Sequence, residues 1–224
     1  MASFKLNLGR IRGLPKPRQL DELLESYGLP ESEEYGVLKH AATEEAIQAT
    51  IVRRTHQSFQ KIDPESRQLT AATIEKVTVY PFAVFPKKEQ LEVYAGSAAG
   101  LKEIGVFLSS ALALSAVVDS VELDVAAAIE TLAGSTQRFV LRSARVSDFA
   151  HNSYLIGPYA PRFADSAHGK EFLDEHAEGV TSASVRFQGP TGRVTAGLTP
   201  AACFSYSCHE DDVPTVRNIL RKLL

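Results

Sequence analysis

The chain has 224 residues, 44% of them hydrophobic and 23% charged, which suits one large globular domain or two small halves and argues against long disorder or a fibrous repeat. Its formal net charge of −3 is the sum of alternating blocks, +5 over residues 1–20, −7 over 21–45, +4 over 46–88, −6 over 89–136, +3 over 137–162, −4 over 163–179 and +2 over 180–224, so a near-neutral total does not exclude a polyanionic partner. The longest apolar stretch, Ile104 to Val118, is interrupted by Gly105, Ser109, Ser110 and Ser115 and falls short of the ~20 residues a membrane span needs, so no membrane partner is expected.

Phe4, Leu6 and Leu8 alternate with Lys5, Asn7 and Gly9, the period-two pattern of a half-buried strand over residues 3–11. That alternation is unlike the continuous apolar run of a secretory leader, and the expected location is the cytoplasm. Pro15 and Pro17 break the strand, and Leu20, Leu23, Leu24 and Tyr27 then recur at helical spacing up to Gly28 and Pro30, predicting a helix over 18–27. After an acidic loop, the β-branched stretches Ile47 to Ile62 and Leu69 to Phe85 flank Asp63-Pro64-Glu65-Ser66 and predict a long antiparallel hairpin. A turn at 87–90 leads into a strand at 91–95. Apolar positions at three and four then predict a helix from Ser97 to about Leu114, and Val125 to Leu132 a second one closed by Gly134.

The second half opens with a strand, Arg138 to Phe149, followed by an extended segment, Tyr154 to Phe163, broken by Pro158 and Pro161. An acidic helix is expected at 167–178. Val180 to Phe187 and Arg193 to Leu198 flank Gly189-Pro190-Thr191-Gly192, a hairpin turn, and a strand at 202–207 and a helix from Val213 to Leu224 complete the chain. The order at 69–114 echoes that at 180–224. The expected fold is α+β, antiparallel sheets with helices packed on one face, in two pseudo-repeated halves, 1–134 and 135–224, of one compact unit.

The chain contains no G-x-S-x-G elbow, no phosphate-binding G-x-x-x-x-G-K-[ST] loop, no G-x-G-x-x-G after a strand and no H-E-x-x-H helix. His168, Glu171 and Glu175 come nearest to a metal cluster, but a solvated acidic helix face accounts for them better. Cys203 and Cys208, the two cysteines of the chain, are too few for a disulfide framework, agree with a reducing compartment, and, five apart on a strand, point to opposite faces. Asp148, His151 and Ser153 are too close in sequence to supply nucleophile, base and orienter in working geometry. No catalytic residue, metal or cofactor is expected.

The basic residues carry more information. Arg53 and Arg54 lie on the first long hairpin, Lys87 and Lys88 at a turn, Arg138, Arg142 and Arg145 on the first strand of the second half, with Arg138 and Arg142, four apart, expected on one face. Spaced, fixed cations of this kind suit a phosphate backbone, whose binding is driven by counterion release. The segment from Tyr154 through Tyr159 and Arg162 to Phe163 interleaves aromatics with arginine, as a stacking platform for bases does. The functional expectation is a non-enzymatic protein that contacts nucleic acid through basic strand faces with little sequence specificity, DNA ahead of RNA, as a homo-oligomer or a subunit of a larger complex. A structural or adaptor subunit, using the edges at 69–85 and the Leu-rich C-terminal helix, is the alternative, and a small metal-dependent hydrolase using His168, Glu171 and Glu175 the third.

The run from Ile74 to Ala95, then Gly96-Ser97 and the helix to Leu114, together with the closing Val180 to Phe187 hairpin and its final strand, resembles in element order the bacterial recombination-associated protein family RdgC. That resemblance implies a ring-forming, sequence-independent DNA-binding protein without catalytic activity. It assigns no site residue.

Overall fold

The computed structural model describes residues 1–31, 33–65, 67–96, 98–152 and 155–224, the side chains of residues 151 and 152 excepted. Ser66 of the hairpin turn, the helix start at Ser97, Ser153 and Tyr154 therefore lie outside the described residues, as does the His151 side chain. The protein is α+β, with five α-helices and eleven antiparallel strands among the described residues. It divides into two compact units, each discontinuous in sequence: unit 1 comprises Met1–Arg10, Tyr94–Leu101 and Asp119–Leu224, and unit 2 comprises Ile11–Val93 and Lys102–Val118. These boundaries differ from a cut at residue 134, because the N-terminal strand pairs with the C-terminal one.

In unit 1, β1 (Ala2–Arg12, of which Ala2–Arg10 belong here) pairs with β11 (Cys203–Cys208) from Ala2↔Cys208 to Asn7↔Cys203. The order continues through β10 (Arg193–Leu198), β9 (Val180–Gln188) and β7 (Gln137–Asn152) to an edge strand, β8 (Leu155–Tyr159). Leu6, Leu8, Phe204, Tyr206, Val194, Ala196, Val185 and Phe187 all point to one side, where the alternation of buried residues demands a cover. Three helices supply it: α3 (Val125–Ser135) with Ile129 and Leu132, α4 (Ser166–His176) with Leu173, and α5 (Val213–Arg221) with Val216 and Leu220. Asp124 and Asp165 cap α3 and α4 by accepting from Ala127 N and from Ala167 N and His168 N. Gly169 sits inside α4 where a Cβ would lie 3.1 Å from Leu141 Cβ, so the missing side chain lets the helix close on β7. Helices cover one face of this sheet and leave the other open.

In unit 2, β2 (Tyr35–Ala42), β3 (Ile47–Ile62), β4 (Leu69–Phe85) and β5 (Gln90–Val93) are paired in that order. The helix α1 (Pro17–Tyr27) buries Leu20 and Leu24. The helix α2 (Ala99–Val106, of which Lys102–Val106 belong here) runs on into a π-helical segment, Phe107–Ala111, whose Phe107 packs against Tyr27 and Tyr35 at 5.6 and 5.7 Å between ring centroids. Strand β2 falls where the sequence suggested a loop, since its bulge between Val37 and Lys39 erases the alternation that marks a strand. A short strand, β6 (Val117–Ser120), was likewise not expected.

Candidate functional site

The strand positions of unit 1 that alternate with the buried ones face away from the helices, and registry fixes their neighbours. Ser3, Ser207, Thr195 and Arg186 form one cross-strand row, and Lys5, Ser205, Gly197, Ser184 and Ser143 the next, with Arg162 bridged to Ser143. Arg193 stands two residues before Thr195, so its Cα and that of Arg186 are diagonal neighbours about 7–8 Å apart. The rows are a floor of hydroxyls with guanidiniums standing on it.

Arg142, Arg162, Arg186 and Arg193 line a single concavity of about 490 Å³ on this side. Its remaining lining, Met1, Ser143, Ser184 and Thr195, contains no carboxylate. Among the described residues none of the four arginine side chains has an ion pair or hydrogen bond, and neither has Lys5. Cationic groups of this kind keep their full charge for a ligand. Ser3 and Ser207 Oγ atoms lie 3.0 Å apart, so the hydroxyls pair with one another across strands and no acid is drawn in. Cys203 opens toward this face while Cys208 is buried in the core, and burial pushes both thiols up, which makes neither a ready nucleophile.

The residues singled out from sequence divide three ways. Arg142 and Arg162 are brought together in the concavity. Arg145 is exposed opposite Ser182, and Arg138 is exposed with φ 51°. The four-residue spacing of Arg138 and Arg142 does not define a shared face here, because β7 carries bulges between Gln137 and Val140 and again between Leu141 and Ser143. Lys87 and Lys88 are exposed on a 3₁₀ turn of unit 2. Arg53 is already engaged within unit 2: its Nε and Nη1 donate to Glu34 Oε1 (2.6 Å) and Glu103 Oε1 (2.7 Å). Arg54 donates to the Pro30 and Glu33 carbonyls and faces Glu75 at 3.6 Å. Arg186 and Arg193 were missed, although each alternates with buried neighbours across a hairpin whose Gly-Pro-Thr-Gly turn fixes their register.

The aromatic segment behaves differently from a stacking platform. Phe163 is buried, and Tyr159 packs on Phe149 at 4.4 Å and toward Phe172 at 6.2 Å, so these rings belong to the packing around α4. On that helix His168 Nδ1 pairs with Asp165 (2.9 Å) and His176 Nε2 with Glu175 (3.7 Å), and no group of three metal-ligating side chains forms among the described residues. No helix of the structure is long and apolar enough to cross a membrane. The chain matches no protein-family model and no curated protein.

Proposed function

We propose that this protein binds nucleic acid through the open face of unit 1, gripping the phosphate backbone and leaving the bases unread. One observation carries the reading: four unpaired arginines around a single acid-free concavity floored by serine and threonine. Guanidinium forks match phosphate oxygens two at a time, and hydroxyls add neutral donors beside them. The described strand residues of this face include no aromatic, so base stacking has no platform among them, and phosphate contacts by themselves carry no sequence information. The resemblance to RdgC read from the sequence points the same way, and DNA is the favoured ligand. Binding of this kind needs no catalytic group.

Anisotropy of a labelled random-sequence duplex across a salt series tests it. With four phosphate contacts the slope of log affinity on log salt is about −3.6, a loss of about 10²-fold between about 50 and 200 mM. Replacing Arg186 and Arg193 by Ala together should reduce that slope by about 2, and a second duplex of different sequence should bind as the first does. Absence of binding at low salt, or a wild-type slope in the double variant, refutes the assignment.

A further inference from the structure

The four arginines around the concavity of unit 1 stand in a file and not in a ring. Arg193 lies on β10 opposite Gln188 of β9, and Arg186 lies on β9 two residues further along, opposite Thr195. On β7 Val140 pairs with Arg186 and Ser143 with Ser184, so Arg142 falls between those two rows. Arg162 lies one strand position beyond β7, bridged to Ser143, and the neighbouring Phe163 N donates to the Arg142 carbonyl (3.0 Å). Each arginine is thus one strand over from the last and further along the strand axis. Three strand spacings of about 4.8 Å, and the four residues from the Gln188 row to the Ser184 row at about 3.4 Å each, put the ends of the file about 20 Å apart.

Four cations over that length are spaced one after another along a single diagonal lane, with Ser143, Ser184 and Thr195 as its floor. Two further cations of this face stand apart from it. Lys5 shares the Ser184 row but lies three strand positions from β9, through β10 and β11 to β1. Arg145 lies opposite Ser182, outside the concavity. Between Lys5 and the file the ground is Ser3, Ser205, Ser207 and Gly197, so a second backbone laid on that side of the first meets isolated charges and no second file. Each strand of a duplex rises about 3.4 Å per nucleotide and winds about the axis, away from a fixed lane. An unpaired strand has rotatable bonds in every nucleotide and follows the lane without a partner to carry along.

We infer that the smallest ligand of the open face is one unpaired strand of five nucleotides, whose four phosphates take one arginine each, and that a duplex is held by one strand while its complement goes untouched. The inference rests on the nucleic-acid reading of this face and specifies the strand it takes. The hydroxyl floor offers bases nothing to stack on, so they turn away from the sheet, toward solvent in a single strand and toward the complement in a duplex.

Anisotropy of labelled oligothymidylates two to ten nucleotides long, without terminal phosphates and at low salt, tests this on the wild-type chain. Affinity should climb with each nucleotide up to five and beyond that grow only with the number of registers a longer strand offers. The slope of log affinity on log salt for the five-nucleotide strand should be about −2.8, four contacts at about 0.7 each, against about −3.6 for a duplex. Arg186→Ala with Arg193→Ala empties half the lane and should move the plateau from five nucleotides to three and halve the slope, and Arg142→Ala with Arg162→Ala should do the same from the other end. Lys5→Ala with Arg145→Ala should leave plateau and slope as in wild type, with single strand and duplex alike. Duplex binding without single-strand binding, a plateau at another length, or a duplex slope reduced by about 2 in the Lys5 and Arg145 variant overturns the single file and leaves the nucleic-acid reading standing. Absence of binding by both forms at low salt overturns the two together.

Discussion

Tyr35 ties the root of the β3–β4 hairpin to the chain around it. Its hydroxyl donates to Glu103 Oε2 (3.2 Å), and burial, reinforced by the Glu103 charge, pushes its pKa up to about 12 from 10.0. A phenol whose pKa is higher folded than unfolded adds stability in full below pH ~10 and loses it as the pH climbs through ~12. Wild type should therefore lose stability over that window more steeply than Tyr35→Phe, measured by urea denaturation at stepped alkaline pH; parallel curves would show that the phenol gains nothing from its site. The same cluster explains why Arg53 reads in sequence as an open cation. Its partners Glu34 and Glu103 stand 19 and 50 residues away, and a charge is legible in sequence where the acid that folds onto it is not. Arg186 and Arg193 are the converse, cations whose freedom depends on no acid facing them across three strands.

Local signals specify most elements. The β3–β4 hairpin follows its β-branched runs and its Asp-Pro turn to the residue, because a hairpin is decided by its own strands and loop. Strands whose alternation is interrupted do not announce themselves, and the bulge in β2 and the two between Gln137 and Ser143 in β7 account for an unexpected strand and a misplaced face. The helix α3 is the opposite case, a cap followed by an apolar stripe. Asp124 accepts from Ala127 N at 3.0 Å, and Asp124→Ala should cost about 1 kcal/mol of unfolding free energy while Asp124→Asn, which keeps the acceptor, costs less. Equal losses in the two variants would mean that the packing of Ile129 and Leu132 holds the helix start without its cap. On α4 the legible feature was acidity; its Gly169 marks a close approach to β7 that only the tertiary structure reveals.

At the scale of the molecule, the discontinuity of the two units was hidden from sequence, since the pairing that creates it joins residues about 200 positions apart. Leu6 and Leu8 are fully buried because β1 lies beside β11, and Phe4 stacks on Tyr206 at 5.5 Å across that pair. Leu6→Ala should cost about 2–5 kcal/mol, whereas Leu155→Ala, on the exposed edge strand β8, should stay within about 0.5 kcal/mol. Similar losses at both sites, by denaturant titration, would place the core elsewhere. The open face itself was half legible: blocks of charge told which strands were basic, and only registry told which cations converge.

The pairing of β1 with β11 also sets an order of events in the cell. Strand β1 leaves the ribosome well before its partner β11, and at about 5–20 residues per second some 200 residues take roughly 10–40 s to follow. Throughout that interval Phe4, Leu6 and Leu8 form a nascent apolar edge without the strand that finally shelters it. Synthesis thus exposes a segment that refolding of the whole chain need not, and a chaperone that holds the emerging β1 would affect the yield of native protein more than it affects the stability of the product.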